Sequence, residues 1–194
     1  GEHRIGACTF GHQRLAIIDL SAAANQPMVT PDGRLMVVFN GEIYNHKELR
    51  RVLEGEGFTF VSGSDTEVLL HGYRRWGSGL VGRLKGMFAF ALWDAEKRTL
   101  LAARDPLGKK PFAWFYQQGT FYFASEIKAL VAALPQRPEI DLGAVEAYLR
   151  YRYVPGDRSV YRGVQKLSPG HMLRYAPDSG AGPLTEAYLT PHFR

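Results

Sequence analysis

Three short polar clusters carry side chains suited to recognition and catalysis, and each borders an apolar run. The first runs from Gly11 to Asp19 and includes His12, Gln13 and Arg14. The second, Asn40-Gly41-Glu42, follows Leu35-Met36-Val37-Val38-Phe39, and the third is Ser64-Asp65-Thr66-Glu67. A guanidinium can hold both oxygens of a carboxylate at once. An ionised aspartate offers acceptor-only oxygens and a charge opposite to ammonium. An asparagine amide beside a glycine can aim a side-chain N–H and an unobstructed backbone N–H at one developing negative oxygen. Taken singly, each cluster has a plainer explanation. Arg14 can be a surface charge, Asn40-Gly41 a turn, and Asp65 an acid complementing a helix start.

The remaining reactive side chains add little. Cys8 is the single cysteine, so no internal disulfide forms, which fits a reducing, cytoplasmic setting. The histidines show no i, i+4 ligand spacing, so no metal site is expected.

The elements that must hold these clusters follow from hydrophobic period. Leu15 to Ile18 is a short strand candidate and Leu35 to Phe39 a better one, being β-branched and aromatic. Asn45-His46-Lys47-Glu48 reads as a capping box opening a helix, with Leu49, Val52 and Leu53 inward and Gly55 and Gly57 as its end. Phe58 to Val61 reads as the next strand. Ser64 to Glu67 reads as a second capping box, with Leu69, Tyr73 and Trp76 behind it and a stop at Gly77. Met87 to Trp93 is a long strand returning as Thr99 to Ala103; Phe112 to Tyr116 and Thr120 to Ala124 form a hairpin around Gln118-Gly119. Asp141 caps a third helix, with Leu142, Val145 and Leu149 predicted to face inward. Phe88, Phe90 and Leu92 point one way and Met87, Ala89, Ala91 and Trp93 the other. Such strands need cover on both faces. Sheet packed on sheet with helices outside satisfies that need.

The chain has 194 residues, 45% hydrophobic and 22% charged, which suits one self-supporting domain. Nothing reaches the length of a membrane span, and the opening residues have no leader-like pattern. The net charge of +5 is dispersed in pairs such as Arg50-Arg51 and Lys109-Lys110. Solvated surface is therefore a better reading than a nucleic-acid-binding face.

In this order, "GHQRLAIIDLS", "QPM", "VVFNGEIYNHKELR", "SDTEVLL", "GMFAFALWD", "ARDPLGKKP", "FASEIKAL" and "YVPGDRSVYRGVQKLSPGH" resemble the glutaminase domain of glutamine-hydrolysing asparagine synthetases. The resemblance runs from about Gly11 to His171. It implies a four-layer αββα sandwich of antiparallel sheets, an α+β fold of the N-terminal-nucleophile hydrolase type. It also implies a reaction: a thiolate attacks the side-chain amide of L-glutamine, ammonia leaves, and the glutamyl thioester is hydrolysed. Arg14 matches the position that holds the substrate carboxylate and Asp65 the one that faces its ammonium. Asn40 and Gly41 match the oxyanion hole. Backbone groups near Ile17, Ile18 and Glu42 complete the pocket. No cofactor is implied for this domain; ATP and magnesium belong to a following synthetase domain, its expected partner.

In that family the nucleophile is a cysteine at the first position, with its own α-amine as base. These residues open with Gly1-Glu2-His3, and the family's opening strand is not among them. The expectation is a domain of residues 1–175 lacking its first strand, then a tail of residues 176–194, inactive as a glutaminase. The alternative is a non-catalytic module that binds glutamine or docks on a separate synthetase. Cys8 is a poor substitute nucleophile: it precedes Arg14 by six residues in what reads as one strand, about 20 Å apart. It is expected to be a small buried or half-buried residue. A sandwich lacking a strand exposes an edge and part of its inter-sheet core. The isolated chain should therefore unfold at low temperature or aggregate. A cooperative, high-temperature melt of a monomer, followed by circular dichroism, would contradict this.

Overall fold

The structure is a computed structural model and describes residues 1–13 and 19–189. In chain order the first half holds β1 (Glu2–Ile5), β2 (Cys8–Gly11), β3 (Met28–Val29), β4 (Leu35–Ile43), α1 (His46–Gly55) and α2 (Thr66–Trp76). Next come β5 (Gly86–Asp94), β6 (Thr99–Arg104), β7 (Ala113–Gln117), β8 (Thr120–Ala124) and α3 (Ile127–Ala133). The chain continues through α4 (Leu142–Tyr151), β9 (Gln165–Lys166), β10 (His171–Tyr175) and β11 (Leu184–Ala187). Six strands pair in the order β11-β10-β6-β5-β4-β3, and a smaller sheet has the order β8-β7-β9. β1 and β2 form a separate hairpin. Every strand pair is antiparallel.

The two-residue period sorts strand side chains into separate interlayer cores. On β4, Leu35, Val37, Phe39 and Ile43 pack with Phe88, Phe90 and Leu92 of β5 against Leu53 of α1 and Leu69 of α2. The opposite face supplies Met36 and Val38, with Ala89, Ala91 and Trp93, to a second core shared with Trp114 of β7 and Phe10 of β2. Ala113 and Phe115, on the far face of β7, meet Leu130 of α3 in a third. Three cores between four layers make the αββα sandwich. The apolar strand faces predicted from sequence divide between these cores as expected.

Several local expectations fail, each for a physical reason. Phe58 to Val61 is not a strand. The backbone N–H groups of Val61 and Ser62 donate instead to the Glu67 carboxylate, at 2.9 and 2.8 Å. That diversion also breaks the second capping box, because Glu67 cannot return to Ser64. The first box fails likewise. Asn45 makes no side-chain cap; its amide receives Lys85 N–H and donates to the Arg83 carbonyl, tying α1 to the start of β5. Val52 lies exposed, so the α1 stripe is Leu49 and Leu53. The larger departure is α4. Asp141 caps it as predicted, accepting from Ala144 N–H at 3.2 Å. However, Leu142 and Leu149 are 73% and 72% exposed, and the buried residue is Ala144, on the opposite side of the helix. Two of the three predicted stripe residues thus face away from the body, and the third, Val145, is half-buried. The candidate strand at Leu15 to Ile18 lies outside the described residues.

Leu53 is fully buried and Leu149 is not. Leu53→Ala should therefore cost about 2–5 kcal/mol in urea denaturation, and Leu149→Ala no more than about 0.5 kcal/mol. Equal losses would mean that α4 packs inward after all.

Candidate functional site

β4 is the element on which the candidate site is built. Asn40 and Gly41 do not form a turn: they lie within the strand, opposite Ala89 and Phe88 of β5. The face that carries Met36 and Val38 into the inter-sheet core continues with Asn40 and Glu42. There the packing stops and a cleft of about 780 Å³ opens between the sheets. Asn40, Gly41, Glu42 and Asp65 line one wall, with Phe112 and Phe123 among the residues opposite. The two strands approach closely at this point. A Cβ on Gly41 would sit 2.1 Å from the Met87 carbonyl oxygen, and one on Gly86 2.1 Å from that of Glu42. Both positions therefore require glycine for pairing alone.

Among the described residues, the outer edge of β4 pairs with strand only at Met36 and Val37, opposite β3. Side chains take over. Phe39 N–H donates to Gln26 Oε1 at 2.6 Å, and the Phe39 carbonyl lies 3.1 Å from His12 Nε2. Ile43 N–H donates to Asp65 Oδ2 at 2.9 Å. Backbone N–H groups alternate sides along a strand, so Gly41 N–H points to this same edge, between those two anchored positions.

Asp65 immediately precedes α2 and is 4% exposed. Burial raises its pKa, and the nearby Glu42 adds to this; the Ile43 N–H and the charge of His46 pull the other way, leaving a net upward shift. Ser64 Oγ accepts Thr66 N–H at 3.1 Å and supports the turn. Glu67 was not foreseen as more than a cap. Burial pushes its pKa up, but its hydrogen bonds with His71, the Ser62 hydroxyl and the Val61 and Ser62 N–H groups outweigh that and bring it down to about 2. Asp105, within "ARDPLGKKP", is a further buried carboxylate. Its buried carboxylate accepts N–H bonds from Phe88, Leu107, Lys109 and Lys110, fixing the loop that brings Lys110 to the cleft. Neither role leaves a recognisable sequence signal.

Cys8 belongs to the β1–β2 hairpin, where it packs half-buried against the inter-sheet core, as expected. It is not among the residues lining the cleft. Burial pushes its thiol up to about 12, so it is protonated at neutral pH. Arg14, Ile17 and Ile18 lie outside the described residues. Flanking residues on both sides are anchored near the site: His12 beside the Phe39 carbonyl, and Asp19 Oδ2 accepting Gly63 N–H at 2.7 Å.

A family model described as a glutamine amidotransferase domain matches residues 1–188. The chain belongs to this family. Asparagine synthetase [glutamine-hydrolyzing] 1 of Bacillus subtilis is 40% identical over 186 residues, a match covering 95% of this chain and 29% of that protein. A putative asparagine synthetase of Mycobacterium tuberculosis is 42% identical, covering 97% and 30% respectively. The amidotransferase domain thus spans under a third of these relatives' length. The solved glutamine phosphoribosylpyrophosphate amidotransferase of B. subtilis superposes with a TM-score of 0.63 at 22% identity, over 94% of this chain and 35% of that one. That likeness supports the four-layer fold. Among the described residues, no helix is long and apolar enough to cross a membrane.

The depressed Glu67 pKa gives a signed pH prediction. Unfolded glutamate titrates near about 4.3. The stability that Glu67 contributes is complete above that value and is lost as pH falls from there through about 2. Glu67→Gln should melt below the parent chain at about pH 6, and the gap should narrow towards about pH 3. A gap independent of pH would show that the carboxylate charge is not what anchors Val61 and Ser62.

Proposed function

We propose that the chain is the glutamine-binding portion of a glutamine-dependent asparagine synthetase, supplying the pocket from which ammonia is taken for amidation of aspartate. The observation that supports this reading is that Asp65 and Gly41 line one cleft, with the Asp65 carboxylate bonded to the Ile43 N–H two residues along β4 from Gly41. Glutamine needs a charge partner for its ammonium, a partner for its carboxylate and donors for the reacting amide oxygen. Asp65 supplies the first. Arg14, with backbone groups near Ile17, Ile18 and Glu42, would supply the second. The Asn40 amide and Gly41 N–H would receive the oxygen as it gains charge; losing one such donor typically costs about 100- to 1,000-fold in rate. The thiolate would bond to the amide carbon, ammonia would leave with a proton, and water would cleave the thioester to glutamate.

The chain's one cysteine is Cys8, a protonated thiol outside the cleft. Turnover therefore requires a nucleophile from outside these 194 residues, and the chain alone binds without hydrolysing. Activation of the acceptor with ATP and magnesium would fall to the part of the relatives that the chain does not span.

Calorimetric titration with L-glutamine tests the pocket. The parent chain should bind; Arg14→Ala and Asp65→Ala should each weaken binding by at least about 2 kcal/mol, because each leaves a ligand charge unpaired. No ammonia should appear. Unimpaired binding by either variant would refute the assigned roles, and ammonia release above background would refute the reading of Cys8.

A further inference from the structure

Gln26 opens the "QPM" motif. Its side chain is 7% exposed and spans two elements of the site. Oε1 receives Phe39 N–H at 2.6 Å, and Nε2 donates to Thr66 Oγ1 at 3.4 Å. Thr66 adjoins Asp65, whose carboxylate receives Ile43 N–H. The result is a closed ring: Phe39 to Gln26, Gln26 to Thr66, along the chain to Asp65, Asp65 to Ile43, and back along β4. Inside this ring the outward-facing peptide of β4 is that of Gly41, and the ring borders the cleft.

We propose that Gln26 is a positioning residue for the Asn40 and Gly41 donors, an inference that rests on the glutamine reading above. Among the described residues no strand pairs with β4 from Val38 to Ile43 on this edge, so side chains set its geometry there. Here Gln26 and Asp65 anchor the alternate residues on either side of Gly41, which sets the direction of the Gly41 N–H. The amide of Gln26 suits the task because one oxygen accepts from the strand while its nitrogen donates to α2. The ring also links the amide end of the pocket to the ammonium end, since Gln26 and Asp65 meet through Thr66.

The test uses Gln26→Met, which keeps the length of the side chain and loses both hydrogen bonds. Amide NMR of the unliganded chain comes first. The Phe39 and Gly41 resonances should shift and broaden, while Ile43, held by Asp65, should stay in place. Binding of L-glutamine is then compared with that of L-norvaline, which has the same carbon chain without the amide. Norvaline affinity should persist, and the preference for glutamine should fall by about tenfold, the loss of about one hydrogen bond to the amide. A Gly41 resonance that does not move, or an equal loss for both amino acids, would overturn the proposal. Should Gln26→Met fail to fold, Thr66→Val detaches the other end of the amide; a smaller shift of Gly41 is expected, and none would overturn it. If the parent chain binds neither amino acid, the glutamine reading fails, while the resonances still decide what Gln26 holds.

Discussion

A strand in a large sheet ordinarily spends its backbone groups on two neighbours. Among the described residues β4 has one full neighbour: β5 pairs with all nine of its residues, whereas β3 reaches only two. Buried backbone groups left without partners are costly, so the rest of that edge must be answered by other means. Gln26, His12 and Asp65 do so from three separate places in the chain. A polar site arises where side chains take over from the described strand pairing, and the cleft occupies the space in front of it.

The layers behave as a support for that edge. The core under β4 is filled from α1 and α2, and eight residues of α2 are buried. Asp65 and Glu67 therefore begin a helix that cannot shift without disturbing the core. Glu67 holds the preceding connection in place by accepting two backbone N–H groups. On the side of β5 away from β4, Asp105 gathers its loop into a fixed shape. Much of the rigidity near the site thus comes from carboxylates bonded to backbone amides, interactions stronger than neutral hydrogen bonds.

Much of this architecture could be read from sequence because two-sided apolar strands such as Met87 to Trp93 admit few arrangements. The polar clusters containing Asn40 and Asp65 were visible as clusters, and the structure brings them to one cleft. What could not be read was the use of individual polar side chains over long distances. Asn45 and Glu67 have the spacing of capping residues, but each is bonded elsewhere. Gln26 reaches a strand 13 positions later and a helix 40 positions later. α4 departs from its sequence pattern for a different reason. Its apolar period is genuine, but period reveals that a helix has two faces and not which one meets the body.

The close pairing of Gly41 with β5 has a genetic consequence. Two glycines 45 positions apart permit a single approach of two strands, and each is opposed by backbone rather than by a side chain that could shrink. Damage to a packed pair is often repaired by trimming its partner. Here there is nothing left to trim, since glycine is already the smallest residue and a main-chain carbonyl cannot be substituted. In a library of variants, losses at Gly41 and at Gly86 should find no suppressor at the other position, and both should read as invariant for reasons of strand geometry even where no ligand is present.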